Sequence, residues 1–188
     1  GGLILASDLS LKRKLNSGVF PGVQGSVILN AVAAKAVCLG EALRPEFEVY
    51  AHAVLNNARV LAATLVDRGV DVVTGGTDTP LILVDLRPNR LTGVVASNSL
   101  ERAGLTCNKN GVPGDIKPPS ITSGLRFGVS AGTTRGFGAQ EFETIGNLIA
   151  DILHGLENRI ANQSQLETRV ASEVGAMTDR FPIYDTDR

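Results

Sequence analysis

Apolar positions along this 188-residue chain change their spacing several times, and each change predicts an element. Leu3 to Ala6 is a short continuous apolar run, which predicts a buried strand. Ser7 is placed to cap a helix from Asp8 to about Ser17, with Asp8 favourable at the positive end of the helix dipole. Phe20 to Gly25 reads FPGVQG, a loop whose Pro-Gly pair and second glycine allow a tight path. From about Val27 to Arg68 alanines and leucines recur at helical spacing. Pro45 divides that run into helices over about 27–43 and 45–68, because proline suits a first turn better than an interior. Gly69 closes the second as a C-cap. Val70 to Thr74 and Leu81 to Leu86 are rich in β-branched residues and predict strands joined by GGTDTP. A helix from about Val94 to Ala103 is closed by Gly104. A short strand over Leu105 to Asn108, a Pro-rich loop over Val112 to Ser120 and a strand over Leu125 to Val129 follow. Two helices, about Gln140 to Gly155 and Ser164 to Phe181, complete the chain.

This order predicts a small α+β domain attached by a long helical bridge to a larger domain, with the boundary near residue 43. The chain opens with Gly-Gly inside the first predicted strand, without an initiator Met or a signal peptide. That start carries the expectation of a longer protein.

Composition adds exclusions. Hydrophobic residues make up 43% and charged residues 20%, enough for a packed core. A net charge of −1 recruits neither nucleic acid nor an anionic membrane, so neither is expected as a partner. Cys38 and Cys107 lie far apart without ligand spacing, which fits a reduced cytoplasmic setting. With two histidines, His52 and His154, a His-rich metal site is excluded and no metal is expected.

Four stretches hold candidate chemistry. In TSGLRFGVSAGTTRGFG, Thr122 to Gly138, Arg126 stands between Leu125 and Phe127 with Gly124 and Gly128 nearby. Its planar fork matches a carboxylate in two parallel hydrogen bonds. Ligand carboxylate or phosphate and an ion pair within the chain are both open at this level. Arg135, in the same stretch, reads as structural. Asn108 to Asp115, NKNGVPGD, is a rigid turn-rich loop whose amides suit a planar heterocycle, or simply make turns. In FPGVQGS, Gly25 and Ser26 stand just before a helix, where backbone N–H groups suit a phosphate. Phe20 is placed either to stack on a ring or to pack. In GGTDTPLILVDL, Asp78 is expected to cap its turn and Asp85 to end a strand, rather than to act in catalysis. No Ser-His-Asp set, P-loop or metal cluster is present, so no residue of this chain is expected to be the catalytic nucleophile or base.

Taken together and in order, SGVFPGVQGS, AAKAV, EALRPEF, GGTDTPLILVDL, GLTCNKNGVPGD and SGLRFGVSAGTTRGF resemble the C-terminal part of the serine hydroxymethyltransferase family. The resemblance runs to about residue 155, with RFPIY fitting near the end. It implies an α/β protein, the C-terminal portion of a fold-type I pyridoxal-phosphate transferase. Residues 1–42 would be the end of the large cofactor domain and the start of the connecting helices, and residues 43–188 the small α+β domain. It implies pyridoxal 5'-phosphate as cofactor, tetrahydrofolate as co-substrate, serine and glycine as substrates, a cytoplasmic homodimer or tetramer, and an N-terminal part of the same enzyme as partner. The Schiff-base lysine would lie just upstream of Gly1, so the segment alone is expected to be inactive.

The resemblance assigns roles residue by residue. Arg126 looks like the clamp for the amino-acid carboxylate. Gly25 and Ser26 occupy positions that meet the cofactor phosphate of a neighbouring subunit. Asn110 and the Lys117-Pro118-Pro119 loop look like folate contacts, and Phe20 is similar to a residue lining the folate site. The chain also departs from the family, which usually reads GGPLMH where this chain has GSVILN, has His at the place of Pro80, and has Thr-Pro at the place of Val129-Ser130. These departures keep an α-substituted serine such as α-methylserine, or another β-hydroxy amino acid, open as substrate. A folate-independent aldolase of the same fold and a non-catalytic binding or assembly domain are the alternative functions.

Overall fold

The computed structural model describes residues 2–184. The chain divides into two compact units, Gly1–Glu48 and Val49–Arg188.

In the first unit, a short 3-10 turn at Leu9–Leu11 leads into α1 (Lys12–Ser17). Asp8, rather than Ser7, caps it: the Asp8 carboxylate accepts the Ser10 amide at 2.8 Å. Gly18–Val23 then forms a single wide helical turn instead of a plain loop, with Phe20 extended inside it and the Gln24 amide closing on the Val19 carbonyl at 2.9 Å. α2 runs over Leu29–Ala42. The strand expected over Leu3 to Ala6 is not formed. That stretch has no strand partner among the described residues, and Leu3, Ile4 and Leu5 are exposed. A strand is stable only beside another, and the described residues of this unit form none to pair with. Leu9, Val23, Leu29 and Leu43 are also exposed.

α3 begins at Pro45 and continues to Asp67, with Glu46 and Glu48 in its first turn as the dipole favours. Val54, Ala58, Leu61, Ala62 and Leu65 are its buried apolar residues, spaced as one apolar stripe of a helix. Gly69 ends it at φ +74°, while the Val70 amide reaches back to the Leu65 carbonyl at 2.9 Å.

The second unit is built on a four-stranded antiparallel sheet of order β1-β2-β4-β3: β1 (Asp71–Val72), β2 (Leu81–Asp85), β3 (Asn108–Asn110) and β4 (Gly124–Gly128). Alternation divides its faces. Val72, Ile82, Val84, Leu125 and Phe127 are buried with α3, α4 (Gly93–Arg102), α6 (Ala139–Glu157) and α7 (Gln163–Asp179) in one core. Leu81, Arg126 and Gly128 alternate to the other face and are exposed.

Two expected elements shift and one unexpected element appears. The strand expected over Leu105 to Asn108 lies instead at Asn108–Asn110, where pairing with β4 fixes it. The strand expected over Val70 to Thr74 keeps only Asp71–Val72 before a tight turn takes over at Val73–Gly75. A short helix, α5 (Ser130–Arg135), follows β4 where none was expected. It is held from outside. Tyr50 Oη lies 2.9 Å from Thr134 Oγ1, and buried Asn57 donates to Thr133 Oγ1 at 3.0 Å and to the Phe137 carbonyl at 3.1 Å.

Glu167 of α7 is a charged residue of the interior. It is buried, accepting Ser99 Oγ and both Nε and one terminal nitrogen of Arg102 at 2.5–2.7 Å.

Candidate functional site

The register of β4 sets the site. Arg126 is paired with Leu83 of β2 on one side and Asn108 of β3 on the other, while Gly124 is paired with Asn110. Directly opposed residues share a face and so do residues two apart on a strand. Arg126, Asn108 and Asn110 therefore stand on the same face of the sheet, with Asn110 diagonal to Arg126. Arg126 is exposed and forms neither an ion pair nor a side-chain hydrogen bond among the described residues. The within-chain ion pair that the sequence left open is not formed among the described residues.

The two glycines flanking this arginine do different things. A Cβ on Gly124 would stand 2.5 Å from the Val84 carbonyl oxygen, 2.5 Å from Val112 Cγ1 and 3.0 Å from the Asn110 carbonyl oxygen. Gly124 is thus required for β2, β3 and the loop beyond β3 to close on β4. A Cβ on Gly128 would meet only Leu81 Cδ2, at 3.6 Å. Gly128 is therefore under no such constraint.

Arg135 is structural, as its sequence setting suggested. Its guanidinium donates to the Phe181 carbonyl and, at 2.9 Å, to the Thr178 carbonyl. The turn after Gly75 is closed by Thr77, whose hydroxyl donates to the Leu81 carbonyl at 2.7 Å and accepts the Thr79 amide at 3.1 Å, rather than by Asp78. Asp85 is engaged by Arg87, which donates through Nε and NH2 at 2.6–3.0 Å and holds the carboxyl below the usual range. That leaves Asp85 at a strand end with its acceptors taken, the role the sequence gave it.

The loop between β3 and β4 carries Lys117, Pro118 and Pro119, all exposed. It is docked at its far end. The Gly93 and Val94 amides, at the start of α4, donate to the Thr122 and Ile121 carbonyls at 3.0 and 3.1 Å, so helix N–H groups that lack intrahelical partners are satisfied by the loop. At its near end, the Asn110 side-chain amide donates to the Gly111 carbonyl at 2.7 Å, leaving its oxygen available. Inside the loop sits Asp115, a residue that sequence reading passed over. It accepts from the amides of Lys117 (3.0 Å), Ser123 (2.8 Å) and Val112 (3.4 Å) and from Ser123 Oγ (2.8 Å). These bonds, the Lys117 amide foremost, hold its pKa at about 2. An aspartate before Ile-Lys-Pro-Pro gives no sign that its partner stands eight residues later.

In the first unit, Phe20, Gly25 and Ser26 line one apolar cavity of about 990 Å³, together with Ile4, Val32 and Lys35. α2 starts two residues later than expected, with Ile28 at its N-cap, so Ser26 precedes the cap rather than occupying it. Ile28 offers no side-chain acceptor to the first-turn amides. Backbone N–H groups at a helix start suit an anion, and the Ser26 hydroxyl is a donor of the right kind.

A cavity of about 720 Å³ in the second unit lies among Leu61, Phe127, Phe142, Ile149 and Met177, and is lined by neither Arg126 nor Asn110. Cys107 is half-buried, and burial with the Glu101 charge pushes its thiol up to about 12. Among the described residues no group of three or more His, Cys, Asp or Glu is placed to hold a metal, and no helix is long and apolar enough to cross a membrane.

Comparison with known proteins adds the following. The serine hydroxymethyltransferase family model matches residues 6–149. The serine hydroxymethyltransferase of Paramagnetospirillum magneticum is 54% identical over 184 residues, which are 98% of this chain and 43% of that protein. That of Rhodospirillum centenum is 56% identical with the same coverage, and that of Rhizorhabdus wittichii is 58% identical over 185 residues, 98% of this chain and 42% of that protein. The chain thus spans less than half the length of the curated relatives it matches, and it matches their C-terminal part. The family is pyridoxal-phosphate-dependent, uses tetrahydrofolate and has the fold-type I architecture. On the match across residues 6–149, this chain belongs to the serine hydroxymethyltransferase family.

Proposed function

We propose that this chain is the C-terminal part of an enzyme that moves the hydroxymethyl carbon of serine, or of an α-substituted serine, to tetrahydrofolate, leaving glycine or the matching amino acid. The observation that carries the reading is the placement of Arg126. Its guanidinium is exposed, without an ion pair among the described residues, and shares a sheet face with Asn110.

Arg126 binds the substrate carboxylate as a two-pronged fork and so fixes the rotation of the amino acid about its α-carbon. Positioning of that kind is a large part of catalysis, because the bond to be broken must be held in one orientation. Pyridoxal phosphate, when bound, supplies the sink for electrons released at the α-carbon. Asn110 and the Lys117-Pro118-Pro119 loop receive the folate on the same side of the sheet. Ser26, with Gly25 beside it at the uncapped entry to α2, has the donor chemistry for the cofactor phosphate, and Phe20 in the same cavity lines the folate site. These three serve the site of a neighbouring subunit in a homodimer or tetramer.

The lysine that carries the cofactor belongs to the N-terminal part of the enzyme. Residues 1–42 complete the large cofactor domain, and residues 43–188 form the small one. The exposed apolar residues of the first unit, Leu3 to Leu5 among them, support a cover supplied by that larger part. The free thiols Cys38 and Cys107 support a reducing, cytoplasmic setting.

The test is kinetic and uses the complete enzyme. Added tetrahydrofolate accelerates loss of the hydroxymethyl group from serine, and Asn110→Ala weakens that acceleration. A rate indifferent to tetrahydrofolate, with Asn110→Ala silent, assigns the protein instead to folate-independent aldol cleavage.

A further inference from the structure

We propose that Asp115 is a positioning residue for folate: its carboxylate sets the path of the Lys117-Pro118-Pro119 loop and ties that loop to the start of the arginine strand. The proposal rests on the reading above, in which Asn110 and this loop meet the folate.

The geometry is a hub. Oδ1 accepts the Lys117 amide at 3.0 Å and Ser123 Oγ at 2.8 Å. Oδ2 accepts the Ser123 amide at 2.8 Å and the Val112 amide at 3.4 Å. One half-buried side chain therefore holds three points of the loop. Val112 follows β3 and is buried, Lys117 opens the Lys-Pro-Pro tract, and Ser123 directly precedes β4.

The prolines concentrate this dependence. Pro118 and Pro119 have no N–H, so the Lys117 amide is the last backbone donor before the tract. Beyond it, the Pro118 carbonyl accepts the Ile121 and Thr122 amides at 2.9 and 3.0 Å, which closes the turn back towards Ser123. Ser123 is 1% exposed, so water does not replace Asp115 on its amide. Ser123 is also three residues from Arg126. Whatever shifts it moves both the loop and the root of the strand that carries the guanidinium.

Asp115→Asn is the informative change, because it keeps the shape and removes one acceptor oxygen. Its new NH2 group faces N–H donors where Oδ1 or Oδ2 accepted them. In the complete enzyme this variant raises the KM and the Kd for tetrahydrofolate at least 10-fold. The affinity for the amino acid falls only a few-fold. The kcat for folate-independent cleavage of a β-hydroxy amino acid stays within 2-fold of wild type. Amide hydrogen exchange at 117 and 123 accelerates, while 125 and 127 in the strand keep their protection.

Ser123→Ala removes only the hydroxyl bond. It shifts the tetrahydrofolate Kd the same way by less, and adds little on top of Asp115→Asn because the two share one hub. An unchanged tetrahydrofolate Kd in Asp115→Asn overturns the proposal, as does an equal fall in folate-dependent and folate-independent kcat, which would mark a general structural role. If Asp115→Asn fails to fold, Ser123→Ala decides by the same measurements. Asn110→Ala separates the two levels: a silent Asn110→Ala removes the folate site itself, whereas an active Asn110→Ala beside a silent Asp115→Asn removes only the role of Asp115.

Discussion

Gly124→Ala is the sharpest test of how the fold builds the site. The added Cβ would lie 2.5 Å from the Val84 carbonyl oxygen on β2, 2.5 Å from Val112 Cγ1 and 3.0 Å from the Asn110 carbonyl oxygen on β3. Non-bonded carbons sit comfortably at about 3.5–4.0 Å, so the two closest contacts are short by roughly 1 Å. Val112 is buried and has little room to turn away, and the other two atoms are backbone. One flanking strand must move. Overpacking costs about 1–3 kcal/mol, and obstruction on both flanks places this case near the top, about 3 kcal/mol. For a unit of this size 1 kcal/mol corresponds to about 2–4 °C, so the transition in which it melts falls by about 6–12 °C. Gly128→Ala is the matched control on the same strand. Its Cβ meets only Leu81 Cδ2 at 3.6 Å, and its expected effect is neutral to slightly stabilising. Scanning calorimetry of the complete enzyme compares the two. Equal melting temperatures for the two variants, with an unchanged KM for serine in Gly124→Ala, would refute this account of how β4 is packed.

Two further predictions concern buried and bridging carboxylates. Glu167→Ala leaves the fully buried Ser99 hydroxyl without its strongest acceptor, while Arg102, whose side chain is 59% exposed, rehydrates; the expected loss is about 2 kcal/mol, read by chemical unfolding. Acid weakens the second unit with a defined sign. Arg102 holds Glu167, and the Lys117 amide and its neighbours hold Asp115, below their ordinary values. Their stabilisation is complete above the ordinary carboxylate values of 3.8 and 4.5 and drains as pH falls below them, for Asp115 towards about 2. Near-UV dichroism followed from pH 5 to 2 reads this, and Asp115→Asn removes the part of the slope nearest pH 2.

Legibility in the sequence followed the range of the forces involved. Pro45 as a helix start, Gly69 and Gly104 as left-handed caps and the apolar stripe of α3 are local, and the structure shows each where the sequence placed it. β3 is different. Asn-Lys-Asn has no strand character of its own, and its pairing comes from β4 across a loop. α5 was invisible because Ser-Ala-Gly-Thr-Thr is a weak helix former, fixed by Tyr50 and Asn57 from about 80 residues away. Leu3 to Ala6 misled for the opposite reason, since an apolar run promises a strand only where a neighbour exists. In the candidate site, Arg126 was readable as a candidate but its neighbours on the sheet were not. Only the register shows that it shares a face with Asn110, and only the folded loop reveals Asp115.

The central claim, that Arg126 clamps the substrate carboxylate, is tested most directly by binding rather than turnover. Glycine and methylamine differ by that carboxylate, and the spectrum of the bound cofactor reports the affinity of the complete enzyme for each. Two charge-assisted hydrogen bonds are worth about 3 kcal/mol together, or roughly 100-fold in Kd. Arg126→Ala, which removes both bonds, is expected to weaken glycine about 100-fold and leave methylamine unchanged, and Arg126→Lys, which keeps the charge and loses the fork, to fall between. An equal loss for both ligands, or none for glycine, would contradict the account.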